Sequence, residues 1–465
     1  YQDFYRRSGA LAKRLGKDFG IAKGDRVAVF AHNEPETFFL FFAPQRLGAI
    51  LVPVNFRFTA REVDHVLEDS GARLLFFGQN LEATVLKLKR PPVCLKMEGP
   101  GGLREMVQAM PEGSPDPMAA EPEDSVMILY TSGTTGAPKG ALINHRMLFW
   151  NSVNTGLRLN ITADDKTLIF HPLFHTSGWN VLSTPFFHHG ASIVMLKKFD
   201  PCRVLELCGE ERLTILFGVP TMMERMSRAE NFNRADLSSL RFSIVGGEPM
   251  AVPLIETWGT HGVPVRQGFG LTEFGPGVFS LEAADGIRKA GSIGFPNFYV
   301  ETRVLNHSGT EARVNEVGEL LLRGPVCTPG YWNDAAATAA AIRDGWFHTG
   351  DLVRVDEEGF FYVVGRKKEV FISGGENIYP AEIESYLGTL PGIREVAVVG
   401  VKDERWGEVG KCFYATKENE PVGEEALRAF CEEGLARYKI PKFFTQLADL
   451  PKGPSGKIQR RALIV

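Results

Sequence analysis

Along the first third of the chain, apolar positions switch repeatedly between helical spacing and continuous short runs. Phe4, Leu11 and Leu15 recur at helical intervals, so the pattern predicts a helix from Phe4 to Leu15. Gly24-Asp25-Arg26 then turns the chain into an apolar strand, Val27 to Ala31. The same alternation predicts a helix from Phe38 to Leu47, a strand from Ala49 to Val54, a helix from Arg61 to Glu68 and a strand from Arg73 to Phe77. Apolar strands that alternate with helices imply a parallel sheet with crossover connections, hence an α/β fold. Residues 95–124, rich in Pro, Gly and acidic side chains, read as a surface connection, after which a strand from Ser125 to Tyr130 restarts the rhythm. It continues past residue 280.

From about 291 to 365 the pattern changes to short strands with tight turns, such as Val300 to Leu305, Glu319 to Arg323 and Phe360 to Val364, which predict a β-rich subdomain. Beyond Gly365-Arg366-Lys367-Lys368 a new βαβ-like pattern begins, with a strand from Val396 to Val401 and a helix from Glu424 to Glu433. The expected organisation is a large N-terminal domain of α/β subdomains plus the β-rich piece (1–366), followed by a small α+β C-terminal lid (367–465). No internal repeat or low-complexity tract interrupts it.

Composition narrows the function classes. With 465 residues the chain has length for about three domain-sized units. Its 52 basic and 56 acidic residues leave a net charge of −4, without the basic excess of a general nucleic-acid or anionic-membrane binder. The longest apolar stretch, Phe38 to Ala43, ends at Pro44-Gln45-Arg46 and is too short to span a bilayer. Six cysteines, at 94, 202, 208, 327, 412 and 431, form no Cys-x-x-Cys pair, which argues against a structural zinc and for a reducing, cytoplasmic location. With 49 glycines and 28 prolines, many turns are built by the backbone itself.

Those glycines concentrate where chemistry is expected. The segment Tyr130-Thr-Ser-Gly-Thr-Thr-Gly-Ala-Pro-Lys-Gly140 leads a buried strand into Thr131, Ser132, Gly133, Thr134, Thr135 and Gly136, and ends in Lys139. Glycines let backbone N–H groups converge on an anion, hydroxyls add donors, and a lysine adds a point charge for phosphate. The glycine spacing is not that of the common P-loop.

This segment resembles the phosphate loop of the adenylate-forming superfamily, in its AMP-forming acyl-CoA synthetase branch, and further signatures follow in the family's order across essentially the whole chain. Gly268-Phe269-Gly270-Leu271-Thr272-Glu273 is similar to the segment that places an aromatic on adenine, Thr272 on the α-phosphate and Glu273 on Mg²⁺. Gly246-Gly247-Glu248-Pro249 resembles the adenine loop. Asp351 in Phe347-His-Thr-Gly-Asp351 and Arg366 match two ribose contacts, and Lys368 matches the hinge. Ser373, Gly374 and Gly375, with Trp406 in Lys402-Asp-Glu-Arg-Trp406-Gly-Glu, match the pantetheine tunnel of CoA-using members. Lys457, in Pro451-Lys-Gly-Pro-Ser-Gly-Lys457-Ile-Gln-Arg460, matches the adenylation lysine.

The resemblance implies ATP, Mg²⁺ and coenzyme A as reactants and a two-step reaction. A carboxylate attacks Mg·ATP to give an acyl adenylate and pyrophosphate, and CoA then takes the acyl group and releases AMP. His175, in Pro172-Leu-Phe-His175-Thr-Ser-Gly178-Trp179-Asn180, matches the histidine beside the substrate carboxylate. The acyl pocket is expected from Gly178, Trp179, Phe217, Gly218, Val219, Thr221, Val245 and Phe274. No acidic residue lies between Asp165 and Asp200 to hold an α-ammonium, and no Lys or Arg stands out in the pocket to hold a second carboxylate. A medium- or long-chain fatty acid is therefore expected ahead of an aryl acid. Loading of a carrier protein, a luciferase-like oxygenase and a non-catalytic acyl-binding relative are the alternatives. Retention of Lys139, Glu273, Asp351, Arg366 and Lys457 together argues against the last. A homodimer is compatible with the sequence but not specified by it.

Overall fold

The computed structural model describes residues 1–108, 120–131, 138–374, 376–418, 420–453 and 458–464. They pack as two compact units. One comprises Tyr1–Thr302 and Leu322–Phe347, the other Arg303–Leu321 and His348–Val465.

In the first unit, the strands Arg26–Phe30, Ile50–Pro53, Leu74–Phe77, Val93–Lys96 and Ser125–Thr131 form a parallel sheet, extended by the antiparallel strand Lys139–Asn144. Local chemistry explains its crossover helices. Helix Ala60–Ser70 starts at a capping box, in which Glu62 donates its N–H to Thr59 Oγ1 and returns a carboxylate oxygen to the Thr59 N–H at 2.8 Å. It stops at Gly71, whose φ of +60° is the left-handed cap glycine takes most readily. Its apolar stripe of Val63, Val66 and Leu67 is buried on the sheet.

The connection expected over 95–124 is more ordered than its composition suggests. Val93–Lys96 adds a strand to the sheet edge, and Leu103–Gln108 forms a helix that buries Leu103, Met106 and Val107. Three apolar side chains one helical turn apart outweigh the local glycines once a core is available.

A second sheet of the same unit has parallel strands Lys166–Ile169, Ser192–Met195, Ile215–Gly218, Phe242–Gly246 and Val265–Phe269. The antiparallel strands Phe279–Leu281 and Ser292–Pro296 extend it. Thr167 lies opposite Ile215, Val245 opposite Gly218, and Gly246 opposite Gly268. That register brings the carboxyl ends of adjacent strands level, the usual place for a ligand in an open parallel sheet.

The second unit holds the greater part of the strands Gly318–Arg323 and Trp346–Val355 and all of Phe361–Arg366, then a smaller sheet from Phe371–Ser373, Glu376–Ile378, Ile393–Asp403, Gly407–Thr416 and Phe443–Gln446. Gly407–Thr416 and Phe443–Gln446 are parallel, with helix Glu424–Gly434 between them in sequence, so the βαβ unit starts from Gly407–Thr416 and not from the expected strand Val396 to Val401. Ile393–Asp403 pairs antiparallel with Gly407–Thr416, a long hairpin whose second strand the apolar pattern did not single out. Among the described residues, no helix is long and apolar enough to cross a membrane.

Candidate active site

The phosphate segment sits in a hairpin. Ser125–Thr131 runs antiparallel to Lys139–Asn144 with Thr131 opposite Lys139. Ser132, Gly133, Thr134, Thr135 and Gly136 lie outside the described residues. Lys139 is partly buried, and its Nζ meets Asp334 at 3.0 Å and lies 5.8 Å from the Tyr331 ring centre.

Glu273 follows a strand of the second sheet. Val265–Phe269 ends at Gly270-Leu271, and a single 3₁₀ turn, Thr272–Phe274, buries Thr272 and Phe274 and leaves Glu273 partly exposed between them. The Thr328 N–H donates to the Glu273 carbonyl at 2.8 Å, and the Tyr331 hydroxyl donates to its Oε1 at 2.9 Å. Gly270 is required by close approach, because a Cβ there would meet the Pro276 carbonyl oxygen at 2.0 Å.

Gly246-Gly247-Glu248-Pro249 leaves the neighbouring strand, with Gly247 at φ +90° and Glu248 exposed. Gln267 fastens this loop, donating from Nε2 to the Glu248 carbonyl at 3.0 Å and accepting from the Met250 N–H at 3.3 Å.

His175 caps the short helix Thr176–Trp179, and its Nδ1 accepts from the Ser177 N–H at 3.1 Å, which places the ring proton of the neutral form on Nε2. His171, four residues earlier, is fully buried. Its ring stacks between Phe170 (4.9 Å) and Phe217 (4.4 Å), and its Nε2 lies 3.2 Å from the Phe217 carbonyl. Burial is the main reason its pKa is lowered to about 4.

The expected pocket residues divide by burial. Gly218, Val245 and Phe274 are buried, Phe217 nearly so, Val219 is partly exposed and Thr221 exposed. Gly178 is packed on the Pro172 carbonyl. Trp179 lies wholly in the core, donating its indole N–H to the Leu173 carbonyl and resting on Phe38 and Phe41. Phe217 and Gly246 face one another, since a Cβ on Gly246 would stand 3.7 Å from the Phe217 ring.

In the second unit, Asp351 and Arg366 lie opposite each other on adjacent strands and form an ion pair of 2.9 Å, with the Asp351 carboxylate 4% exposed and the Arg366 side chain 47% exposed. Lys368 occupies the turn after that strand, closed by Glu369 N–H to the Arg366 carbonyl at 2.9 Å. Ser373 ends the strand Phe371–Ser373, and Gly374 (φ +58°) donates its N–H to the Trp406 carbonyl at 2.9 Å. A Cβ on Gly374 would sit 2.8 Å from the half-exposed Trp406 ring, so the fold brings these two together. Gly375 and Lys457 lie outside the described residues.

Tyr331, Asp334, Gln267 and His171 were not legible as site residues. Tyr331 and Asp334 fall in Gly330-Tyr-Trp-Asn-Asp334, which the pairing of Ala141 with Tyr331 and the backbone hydrogen bonds of Leu142 and Trp332 carry to the strand Lys139–Asn144.

Among the described residues no cluster of three or more His, Cys, Asp or Glu is arranged as a metal cage. One carboxylate beside a lysine and a phenol instead suits Mg²⁺, which takes one or two protein carboxylates and otherwise keeps phosphate oxygens and water. Glu273 fits that pattern.

Comparison with known proteins agrees across the chain. The AMP-binding enzyme family matches residues 1–332 and the AMP-binding enzyme C-terminal domain matches 382–457. A feruloyl-CoA synthase of Amycolatopsis sp is 39% identical over 98% of this chain and 92% of its own length. A long-chain-fatty-acid–CoA ligase of Mycobacterium tuberculosis is 35% identical over 99% and 92%. The crystal structure of ATP-bound MatB from Rhodopseudomonas palustris superposes with a TM-score of 0.91 at 31% identity, covering 100% of this chain and 92% of that one.

Proposed function

The chain belongs to the AMP-binding, adenylate-forming enzymes as an AMP-forming acid–CoA ligase, and we propose that its acid is a hydrophobic aryl monocarboxylate. The observation that carries this reading is the stack of Phe170, His171 and Phe217. It packs the Phe217 ring face to face with His171 and leaves its edge against Gly246, an aromatic surface suited to a planar tail. No Lys or Arg occurs among the pocket positions to hold a second carboxylate, and no acidic residue between 165 and 200 holds an ammonium. The feruloyl-CoA synthase adds support from similarity. The second reading, a medium- or long-chain fatty acid, is favoured by the Mycobacterium tuberculosis relative.

In this reading Lys139 pairs with the triphosphate, Thr272 donates to the α-phosphate, and Asp351 accepts from the ribose hydroxyls beside Arg366. Glu273 holds Mg²⁺, which when bound neutralises phosphate charge. The Nε2–H of His175 orients the acid carboxylate, and the Lys457 ammonium bridges carboxylate and α-phosphate as charge shifts between them. One carboxylate oxygen attacks the α-phosphorus, and pyrophosphate leaves. The segment beyond Lys368 then turns, withdrawing Lys457 and presenting Ser373, Gly374 and Gly375 with Trp406 to pantetheine. The CoA thiol, losing its proton, attacks the acyl carbon, and AMP leaves with the former carboxylate oxygen.

A one-pot competition tests the substrate. Protein, Mg·ATP and CoA receive equimolar acetate, octanoate, hexadecanoate, ferulate and indoleacetate, and acyl-CoA products are read by mass spectrometry. The aryl reading predicts an aryl thioester at least tenfold over the alkyl products. Dominant hexadecanoyl- or octanoyl-CoA selects the second reading, and AMP without any thioester points to a carrier-protein thiol.

A further inference from the structure

The phosphate-side charges do not stand alone. The segment from Thr328 to Thr338 runs beside the strand Lys139–Asn144, held by Leu142 N–H to the Gly330 carbonyl at 3.0 Å and Trp332 N–H to the Gly140 carbonyl at 2.8 Å. Near its middle, Tyr331 touches both charged groups. Its ring faces Lys139 Nζ at 5.8 Å, and its hydroxyl donates to Glu273 Oε1 at 2.9 Å. Asp334 of the same segment pairs with Lys139, and Thr328 fixes the Glu273 backbone.

We propose that Tyr331 is a positioning residue for the Mg·triphosphate site, fixing the rotamer of the Glu273 carboxylate through its hydroxyl while its ring backs Lys139. The proposal rests on the reading of Glu273 as the metal ligand. A glutamate side chain has three soft torsions, and one fixed oxygen removes most of that freedom before a cation arrives. The Tyr331 N–H donates to Thr338 Oγ1 at 2.9 Å, which anchors its backbone independently of the hydroxyl.

Tyr331→Phe removes only the O–H and keeps the ring packed. Calorimetric titration of the whole protein with ATP, in EDTA and across a Mg²⁺ series without acid, reads the metal-dependent part of binding separately from turnover. The half-saturating Mg²⁺ concentration for ATP binding should rise about tenfold in Tyr331→Phe, the loss expected for one hydrogen bond to a charged group. Binding in EDTA should stay within twofold. In a Glu273→Gln background, Tyr331→Phe should add nothing, because the group it positions is gone. An equal loss with and without Mg²⁺, no change in either, or additive effects in the double variant overturns the positioning role. If Glu273→Gln alone leaves the Mg²⁺ dependence intact, the metal assignment of Glu273 is wrong and this inference falls with it.

Discussion

Gly270→Ala should separate catalysis from stability by moving the loop that carries Thr272 and Glu273. The Cβ of an alanine at 270 would lie 2.0 Å from the Pro276 carbonyl oxygen, 2.4 Å from its carbonyl carbon and 2.5 Å from its Cα. All three are backbone atoms, so no rotamer change relieves the contact. Reaching even 3.0 Å, below which Cβ contacts essentially never occur, requires about 1 Å of backbone displacement between residues 270 and 276. Thr272 and Glu273 lie inside that loop and move with it. A misplacement of ~1 Å costs on the order of 100-fold in rate, whereas overpacking of one methyl costs ~1–3 kcal/mol of stability. The assay is acid- and CoA-dependent AMP release at saturating Mg·ATP, paired with a thermal melt. Gly259→Ala is the control, since a Cβ there meets nothing within 4 Å and the residue lies in helix Val252–Thr260. Gly270→Ala with activity within threefold of the parent and an unchanged melt would refute the reasoning.

Further expectations follow from groups whose surroundings are equally specific. Because His171 is buried neutral with its pKa lowered to about 4, the unfolded chain takes up a proton below ~6.5 that the folded chain refuses. Stability is therefore lost as pH falls from ~6.5 towards 4, by ~3 kcal/mol, and His171→Phe should flatten that limb in denaturant unfolding; an unchanged slope would contradict it. Asp165, 3% exposed, accepts from Arg241 at 2.7 and 2.8 Å and from Thr214 at 2.6 Å, so Arg241→Ala should cost ~3–5 kcal/mol by stranding a buried carboxylate. Burial raises the Asp165 pKa, but hydrogen bonds from Thr214, Thr162 and Arg241 outweigh it and the net shift is downward. The stabilisation is thus present above ~3.9 and lost as pH falls through the lower folded value. Lys457→Ala should abolish acid-dependent ATP–pyrophosphate exchange yet spare thioester formation from supplied acyl adenylate, and equal loss of both would remove Lys457 from the adenylation step.

Legibility in the sequence followed the range of the interactions. Helix Ala60–Ser70 was readable because its cap, apolar stripe and terminal glycine are all local. Leu103–Gln108 was not, because its helical state depends on burial against distant elements while its neighbours carry turn residues. The segments matched to phosphate, adenine and ribose could be singled out because each concentrates glycine, hydroxyl or charge within a few residues. Tyr331 and Gln267 were hidden because each acts across the fold on a residue far away in sequence, the first on Glu273 and the second on the Glu248 loop. Trp179 shows the converse limit. Its position in the motif points to the acyl pocket, and the motif does not disclose that the ring is fully buried, with Phe38, Phe41 and the Leu173 carbonyl among its neighbours. Which acid fits depends on packing among residues distant in sequence, and so motif spacing alone does not specify it.

The account stands or falls on formation of an acyl adenylate, and following the oxygen atoms tests that directly. The acid selected by the competition is labelled with ¹⁸O in both carboxylate oxygens and turned over with unlabelled Mg·ATP and CoA. Attack of the carboxylate on the α-phosphorus, followed by thiol attack at the acyl carbon, predicts AMP carrying one labelled oxygen per turnover, with unlabelled pyrophosphate. Unlabelled AMP, or label recovered in inorganic phosphate alongside ADP, would contradict it.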